Sequence, residues 1–496
     1  MNINDIEPKE CFKRFAELAA IPHCSYNEQA LGGYLVAFAE ERGLDCGRDA
    51  AGNVLIRKPA TGGMEKAPTV VIQGHMDMVC VKKDGTAHDF NKDSIRLLAD
   101  GEWLKADGTT LGADNGIGLA FILALLDAHD IPHPALEAVI TVAEEVGMEG
   151  AQAFDASQLT GRYFINTDAE EEGVFCVSCA GGRRCMLSLP LTREAREARE
   201  AAASTPGSFF TLTLAGLAGG HSGLEIIRER GNANKLMGRV LARLAGAHAL
   251  ALCGIGGGSA DNVIAFECRA TVRIDADAVT LDRELAALQA EFRAELSAAD
   301  GAGLSLSAAP AESGGQVFSK DSLDRVLAAL LLFPNGITAM DLNVLPLRQV
   351  ETSCNLGIVS TEGDTVTLTG LARSSVNSRK LALYEQMEAL AKTLGGGLTF
   401  SGDYPAWEYK PDSKLSGIFH DTFKDLFGRE PKMEGIHAGL ECGLFFDKFR
   451  NLGRDVDFIA FGPDITGAHT PVEAVRIPSV ANTWKLLKAV LGKVKE

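Results

Sequence analysis

The chain has 496 residues, of which 46% are hydrophobic and 23% charged, a balance typical of a soluble globular protein. This length predicts several domains or one interrupted domain. Lys and Arg number 48 against 66 Asp and Glu, and the net charge of −18 repels phosphate backbones and anionic lipids. Nucleic acids and membrane surfaces are therefore excluded as expected partners.

The N-terminus and the cysteines bear on the cellular compartment. Residues 1–10 are polar and acidic, and no apolar run of about 18 residues occurs, so neither a signal peptide nor a membrane span is predicted. The 11 Cys are scattered and do not form the pattern of a secreted disulfide framework. We therefore predict a cytoplasmic protein with reduced cysteines. The sequence leaves open whether it acts as a monomer or a homodimer.

The first half of the chain predicts an α/β fold. Residues 25–28 have the pattern of a capping box, opening an amphipathic helix that should end at Gly43. The apolar patterns predict strands at 54–57, 69–73, 138–142, 163–165 and 174–179, and a helix at 117–126.

The second half begins with a change of composition. The Arg, Glu and Ala-rich stretch 192–203 predicts a boundary or an exposed excursion. Two sets of strands and helices follow, which predict an α+β lid: strands at 209–214, 263–274, 351–359 and 365–372, and helices at 234–244, 281–296 and 380–394. Gly395 to Gly397 form a natural return linker before a strand at 456–461. We predict a catalytic domain of residues 1–186 and 396–496, interrupted by a lid domain of residues 187–395.

The motif His75-Met76-Asp77 stands at the end of an apolar strand. Residues two apart in a strand point the same way, so His75 and Asp77 converge where the strand ends, the usual location of ligand sites in open α/β sheets. Asp77 can then hold the His75 ring in one tautomer and leave the other nitrogen for a metal.

Carboxylates follow the neighbouring elements. Asp114 lies in a Gly-rich turn at a predicted helix start, Glu144 and Glu145 follow the strand at 138–142, and Asp168 follows the strand at 163–165. Zinc, manganese or cobalt accept such a mixture of His and carboxylates, whereas a structural zinc site favours Cys. Because the side chains of adjacent Glu residues diverge, one can bind metal while the other acts as general base.

These segments resemble the co-catalytic zinc exopeptidases related to carboxypeptidase G and aminoacylase. The matching stretches follow one another in order along nearly the whole chain: 74–79, 111–116, 143–147, 166–168 and 469–471. The resemblance implies a catalytic domain with a mixed sheet flanked by helices. It also implies two divalent metal ions, zinc first and cobalt or manganese as alternatives.

The resemblance implies a role for each metal-site residue. Asp114 would bridge both ions, His75 and Asp168 would complete one site, and Glu145 and His469 the other. Asp77 would orient His75. Glu144 would be the general base for a bridging hydroxide. The resemblance further implies a non-proline cis peptide bond after Asp114.

Four other residues are candidates for binding the substrate. His221, flanked by glycines, would hydrogen-bond the oxyanion. The resemblance assigns substrate binding to Asn262, although Ala265 stands where the family has Pro, and assigns the substrate's carboxylate to Arg373. Glu441 could pair with a free α-amino group. An ordinary loop His and a solvated strand-end Arg remain the alternatives for His221 and Arg373.

The resemblance implies hydrolysis of dipeptides, including those that carry a C-terminal histidine. Three alternatives stay open: an amidohydrolase that deacylates amino acids, an aminopeptidase acting on tripeptides, and a non-catalytic peptide-binding relative. The intact Glu144 argues against the last alternative, because a pure binder needs no unligated base.

Overall fold

The computed structural model describes residues 3–195, 207–312, 316–341 and 349–495. The helices in these ranges are α1 (Lys9–Ala19), α2 (Gln29–Glu40), α3 (Ala113–Asp127), α4 (Glu149–Ala153), α5 (Ala233–Ala247), α6 (Ala278–Glu295), α7 (Lys320–Leu332), α8 (Asn377–Thr393), α9 (Lys414–Phe427), α10 (Glu441–Asn451) and α11 (Ile477–Lys493). None of them combines the length and the apolar character that a membrane span requires.

The strands are β1 (Asp45–Arg48), β2 (Val54–Lys58), β3 (Val70–His75), β4 (Leu97–Asp100), β5 (Trp103–Ala106), β6 (Leu136–Thr141), β7 (Tyr163–Asn166), β8 (Val174–Cys179), β9 (Gly181–Pro190), β10 (Arg193–Ala195), β11 (Ser208–Ala215), β12 (Leu250–Gly257), β13 (Cys268–Ile274), β14 (Ser305–Pro310), β15 (Gln316–Phe318), β16 (Gly336–Asp341), β17 (Gln349–Glu362), β18 (Thr365–Ser374), β19 (Gly397–Tyr404), β20 (Lys432–Ile436), β21 (Asp457–Ala460), β22 (Ile465–Thr466) and β23 (Ala474–Arg476). Most predicted strands and helices are confirmed, with ends shifted by a few residues.

The chain divides into two compact units. Unit 1 comprises residues 1–179, 407–435 and 440–496, and unit 2 comprises residues 180–406 and 436–439. The sequence of unit 2 is therefore inserted within that of unit 1. The division expected at residues 187 and 395 stays a prediction.

Unit 1 is built on an eight-stranded mixed sheet in the order β1-β2-β6-β3-β7-β21-β8-β20. Its centre is parallel, since β3 pairs in parallel with both β6 and β7, and β7 with β21. All six residues of β3 are buried, as expected for a central parallel strand covered on both faces. The predicted α/β fold with a mixed sheet flanked by helices is confirmed.

Helix α3 packs within the core of unit 1. Every residue from 115 to 126 is buried, so this helix is apolar on all sides and has no solvent face. Phe121 of α3 stacks on Trp484 of α11, with ring centroids 5.9 Å apart. At its N-terminal end the backbone of Asp114 and Asn115 departs from helical geometry, so the buried helix holds the turn that carries Asp114.

Unit 2 has a nine-stranded antiparallel sheet in the order β14-β11-β13-β12-β17-β18-β9-β19, with β16 also paired to β17. Strands β10 and β15 form a separate two-stranded antiparallel sheet. The core of unit 2 is formed by apolar residues of the nine-stranded sheet and of helices α5 to α8. The expected α+β composition is observed. Residues 196–203 of the predicted boundary stretch lie outside the described residues.

Three features of the structure differ from those predicted from the sequence. Helix α2 begins at Gln29 without a side-chain cap, because the Ser25 hydroxyl donates to Asp77 Oδ2 instead (2.8 Å). The strand predicted at 263–274 begins only at Cys268, since residues 259–267 form a loop. The expectation that every cysteine is reduced is wrong for Cys24 and Cys80, which form a disulfide. The fold brings these two cysteines together, and the number and scatter of cysteines along the chain do not show which of them become neighbours.

Candidate metal centre

Three neighbouring parallel strands bring the candidate ligands together. His75 is the last residue of β3, Glu144 and Glu145 follow β6, and Asp168 follows β7. Because β6 and β7 flank β3 in parallel, their carboxyl ends meet at one edge of the sheet. This edge is where ligand sites of α/β sheets form.

The first candidate group of metal ligands consists of His75, Asp114 and Asp168. His75 Nε2 lies 3.2 Å from Asp114 Oδ1 and 3.6 Å from Asp168 Oδ1. The His75 side chain is almost fully buried. A cation between these atoms would meet one imidazole nitrogen and two carboxylate oxygens.

The second candidate group consists of Asp114, Glu145 and His469. His469 Nε2 lies 2.9 Å from Glu145 Oε2 and 3.2 Å from Asp114 Oδ2. Asp114 therefore belongs to both groups and turns one oxygen to each histidine. His469 comes from the loop between β22 and β23, and it reaches the same carboxylate as His75.

The charges of this cluster favour a cation. Hydrogen bonds to Asp114 and Glu145 raise the pKa of His469 to about 11. Burial works against the charged form of His75, but the surrounding carboxylates outweigh burial and raise the pKa of His75 well above its usual value. Burial and the charge of Asp114 raise the pKa of Asp168 to about 6. The carboxylates thus stabilise positive charge in their midst.

The donor set also fits a metal ion. Glu145 Oε1 is buried and has no hydrogen-bond partner among the described residues. A buried oxygen of this kind is costly unless something satisfies it. Carboxylate oxygens and imidazole nitrogens are the ligands that zinc, cobalt and manganese accept. The residues present are therefore compatible with divalent cations.

The Asp77 carboxylate organises the loop that carries the two glutamates. Its Oδ1 accepts the backbone N–H of Glu144 (2.9 Å), and its Oδ2 accepts that of Glu145 (3.2 Å). His75 Nδ1 lies 3.0 Å from the Asp77 carbonyl oxygen and 3.5 Å from its Oδ1. The contacts of Asp77 with the glutamate loop are thus as direct as its contact with the His75 ring.

Glu144 stands apart from the ligands. It belongs to neither candidate group. Burial raises the pKa of Glu144 well above its usual value, and the charges of Asp168 and Glu441 add to this rise. Glu144 is therefore a partly buried carboxylate at the edge of the cluster that takes part in neither candidate ligand group.

The peptide bond between Asp114 and Asn115 is cis, as predicted. The Asn115 side chain donates to the carbonyl oxygen of Thr167 (2.8 Å) and to Asp168 Oδ1 (3.2 Å). Asn115 therefore links the turn of Asp114 to the loop of Asp168.

Glu441, at the first residue of α10, is fully buried. Its Oε2 accepts hydrogen bonds from Gln73 Nε2 and from Thr141 Oγ1 (2.8 Å). Its Oε1 has no partner among the described residues, and burial raises the pKa of Glu441 to about 7. In this structure the side chain is enclosed by strands β3 and β6.

The other substrate-binding candidates lie in unit 2. His221 Nδ1 accepts the backbone N–H groups of Gly223 (3.3 Å) and Leu224 (3.1 Å), so the proton of the neutral ring resides on Nε2. Arg373 is buried and donates to Tyr404 Oη (2.6 Å). Asn262 is exposed, and its backbone oxygen accepts the N–H of Ser222.

Several residues that hold the site together could not be assigned this role from the sequence. Ser25 and Thr141 donate to the carboxylates of Asp77 and Glu441. Glu473 accepts four backbone N–H groups of the turn before α3. The one available signal was a Glu four residues after His469 in a loop without apolar pattern. These contacts join segments that are far apart in the chain, and a single sequence does not show which distant segments come together.

Comparisons with known proteins agree with this geometry. A profile of peptidase family M20/M25/M40 matches residues 71–493. The cytosol non-specific dipeptidase of Escherichia coli (strain K12) is 39% identical over 494 residues, which cover 99% of each chain. The crystal structure of aminoacylhistidine dipeptidase from Vibrio alginolyticus has a TM-score of 0.90 at 39% identity, covering 100% of this chain and 99% of that chain. Aminopeptidase PepT from Bacillus cereus has a TM-score of 0.56 at 16% identity, covering 99% and 100% of the two chains, and shows the shared fold alone.

Proposed function

Because this chain belongs to peptidase family M20/M25/M40, we propose that it is a metal-dependent dipeptidase. The proposal rests on the position of Asp114, whose two carboxylate oxygens face two different histidines, His75 and His469. Two full-length relatives, from Escherichia coli and Vibrio alginolyticus, bear the names of dipeptidases and support the substrate class.

The candidate site would hold two divalent ions. Asp114 would be a ligand to both of them, His75 and Asp168 would complete one group of ligands, and Glu145 and His469 the other. Zinc is the proposed metal, with cobalt or manganese as substitutes, because all three accept imidazole and carboxylate ligands. When bound, the ions polarise the scissile carbonyl and lower the pKa of the attacking water from 15.7 to about 7.

Glu144 moves the proton. Its carboxylate accepts a proton from the attacking water and returns it to the nitrogen of the leaving amine. Its position outside both ligand groups supports this role, since a carboxylate that binds no metal is free to exchange a proton, and burial, which raises the pKa of Glu144, favours its taking one up. Asp77 positions Glu144 through the backbone hydrogen bond of 2.9 Å and contacts the His75 ring.

Four residues are proposed to bind the substrate. His221 donates from Nε2 to the oxyanion, a role that its acceptor bonds at Nδ1 support. Arg373 binds the C-terminal carboxylate, and Asn262 contacts the peptide. Glu441 recognises the free α-amino group. Because Glu441 is enclosed in this structure, that role requires a rearrangement around Thr141.

The lid role of residues 187–395 and the cytoplasmic location belong to the same proposal, and either a monomer or a homodimer is compatible with it. The name of the Escherichia coli relative supports the location. Size-exclusion chromatography with light scattering measures the oligomeric state directly.

Turnover by metal-stripped and zinc-restored protein tests the function. We expect zinc-dependent hydrolysis of β-alanyl-histidine and other dipeptides. Faster cleavage of a tripeptide would favour an aminopeptidase, and release of acetate from an N-acetyl amino acid would favour an amidohydrolase. Dipeptide binding without turnover in the zinc-restored protein would identify a non-catalytic relative and refute the proposal.

A further inference from the structure

Glu473 lies in the loop of His469, and its carboxylate is buried against the turn that carries Asp114. Its Oε2 accepts the backbone N–H groups of Leu111 (2.7 Å) and Gly112 (3.0 Å). Its Oε1 accepts those of Ala113 (2.8 Å) and, at 3.3 Å, Asp114. One side chain thus fixes four consecutive amides.

Leu111 and Gly112 immediately precede α3 and Ala113 and Asp114 are its first two residues, and the first N–H groups of a helix have no partner within the helix. A carboxylate satisfies them and interacts favourably with the helix dipole. The turn is also constrained sterically, because Gly112 has a φ of 70° and a side chain there would lie 2.8 Å from Met78 Sδ. The Glu473 carboxylate therefore meets one defined arrangement of the turn.

The loop that carries Glu473 is itself closed. Thr470 donates from its backbone N (3.1 Å) and from Oγ1 (2.6 Å) to the carbonyl oxygen of Gly467, and the N–H of Glu473 donates to the carbonyl oxygen of Thr470 (3.1 Å). Strand β23, which follows directly, pairs with β5 and β22. His469 has a φ of 63° within this loop. Where Glu473 is anchored thus determines where the His469 ring lies.

We propose that Glu473 is a positioning residue that joins the His469 loop to the Asp114 turn, so that both side chains meet the shared metal site. This inference rests on the proposed metal site and adds a residue that does not itself bind metal. The distance of 3.2 Å between His469 Nε2 and Asp114 Oδ2 depends on this connection.

Glu473→Gln tests the connection. The amide keeps the size of the side chain, but its NH₂ group faces N–H donors instead of accepting from them. The metal-stripped variant is titrated with Co²⁺, and binding is followed by calorimetry and visible absorption. We expect the affinity for one of the two ions to be lowered by about 10–100-fold, the usual effect of changing a residue that holds a metal ligand in place.

Activity supplies a second readout. Because Glu473 touches neither substrate nor metal, raising the Co²⁺ concentration by the same factor should restore kcat, with KM unchanged. A loss of kcat that saturating Co²⁺ does not restore would contradict a positioning role.

Glu137→Gln is the matched control. Glu137 is an equally buried carboxylate, which accepts the backbone N–H groups of Thr160 (2.9 Å) and Gly161 (3.0 Å). It lies near the start of β6, at the end of the strand away from the metal site. We expect Glu137→Gln to lower the melting temperature and leave both Co²⁺ affinities unchanged.

Three results would overturn the inference: wild-type Co²⁺ affinities in Glu473→Gln, an equal loss of affinity in Glu137→Gln, or no metal binding by the wild-type protein. The last result would also refute the proposed function, whereas the first two would leave it intact. If Glu473→Gln does not fold, Glu473→Asp replaces it, since its carboxylate is one methylene too short to reach all four amides. The same loss of affinity is expected, and unchanged affinity in that variant would equally overturn the inference.

Discussion

Replacing Glu144 by Gln separates proton transfer from metal binding. Gln has the size of Glu, and the bond from the residue 144 backbone to Asp77 Oδ1 (2.9 Å) does not involve the altered side chain. Glu144 lies outside both candidate ligand groups, so two metal ions should remain bound. Loss of a general base lowers turnover by about 10²–10⁴-fold, which corresponds to about 2.7–5.4 kcal/mol of transition-state stabilisation.

The adjacent Glu145→Gln variant is the control, because Glu145 Oε2 lies 2.9 Å from His469 Nε2 within the second group. Metal content by mass spectrometry and turnover of β-alanyl-histidine are measured on both variants. We expect Glu144→Gln to hold two ions with little activity, and Glu145→Gln to lose one ion. Loss of metal in Glu144→Gln, with activity restored by added zinc, would refute the assignment and exchange the two roles.

Three further predictions concern stability. Lys235→Met removes an ammonium group that donates to three carbonyl oxygens at the end of α7 (2.7, 2.7 and 2.8 Å). Urea unfolding should show that the free energy of unfolding falls by about 1.5–3 kcal/mol, and an unchanged midpoint would contradict this. Gly74→Ala introduces a methyl group 2.9 Å from Thr167 Oγ1 and closer still to Asn115 Oδ1. This overpacking should lower the free energy of unfolding by about 1–3 kcal/mol in the same assay, whereas wild-type stability would show that the site adapts. Burial and the charge of a neighbouring arginine lower the pKa of His437 from 6.5 to about 3. The unfolded chain therefore takes up this proton at a higher pH than the folded chain, and the free energy of unfolding falls as the pH drops below about 6.5, by up to about 1.4 kcal/mol per pH unit. His437→Gln should flatten this dependence, and an unaltered slope would exclude His437 as its source.

Much of the site could be predicted because its signals are local. His75 and Asp77 stand at the end of an apolar strand, and the alternation of a strand sends both side chains to one side. Glu144 and Glu145 follow a second strand in the same way. The order of motifs along the chain then indicated the family, which the profile match establishes.

Other features depended on which segments meet in space. Ser25 was predicted to cap a helix, but its hydroxyl donates to Asp77, a buried carboxylate that binds it more strongly than an exposed helix end would. Cys24 and Cys80 are linked for the same reason of proximity. Glu441 could pair with a substrate's α-amino group on the sequence alone, and only the structure shows that it is enclosed beside β3 and β6.

The sequence by itself determined the types of candidate ligand, the strands that carry them and the class of chemistry they indicate, since each follows from residue identity and from a repeat of two or three residues. The tertiary structure decided that Asp114 faces both His75 and His469, and that Glu473 accepts the backbone N–H groups of the turn that carries Asp114. Parallel strands adjacent in space need not be adjacent in sequence, and a buried carboxylate takes whichever donors the fold brings to it. Those pairings are set by the packing of the whole unit, so no local pattern encodes them.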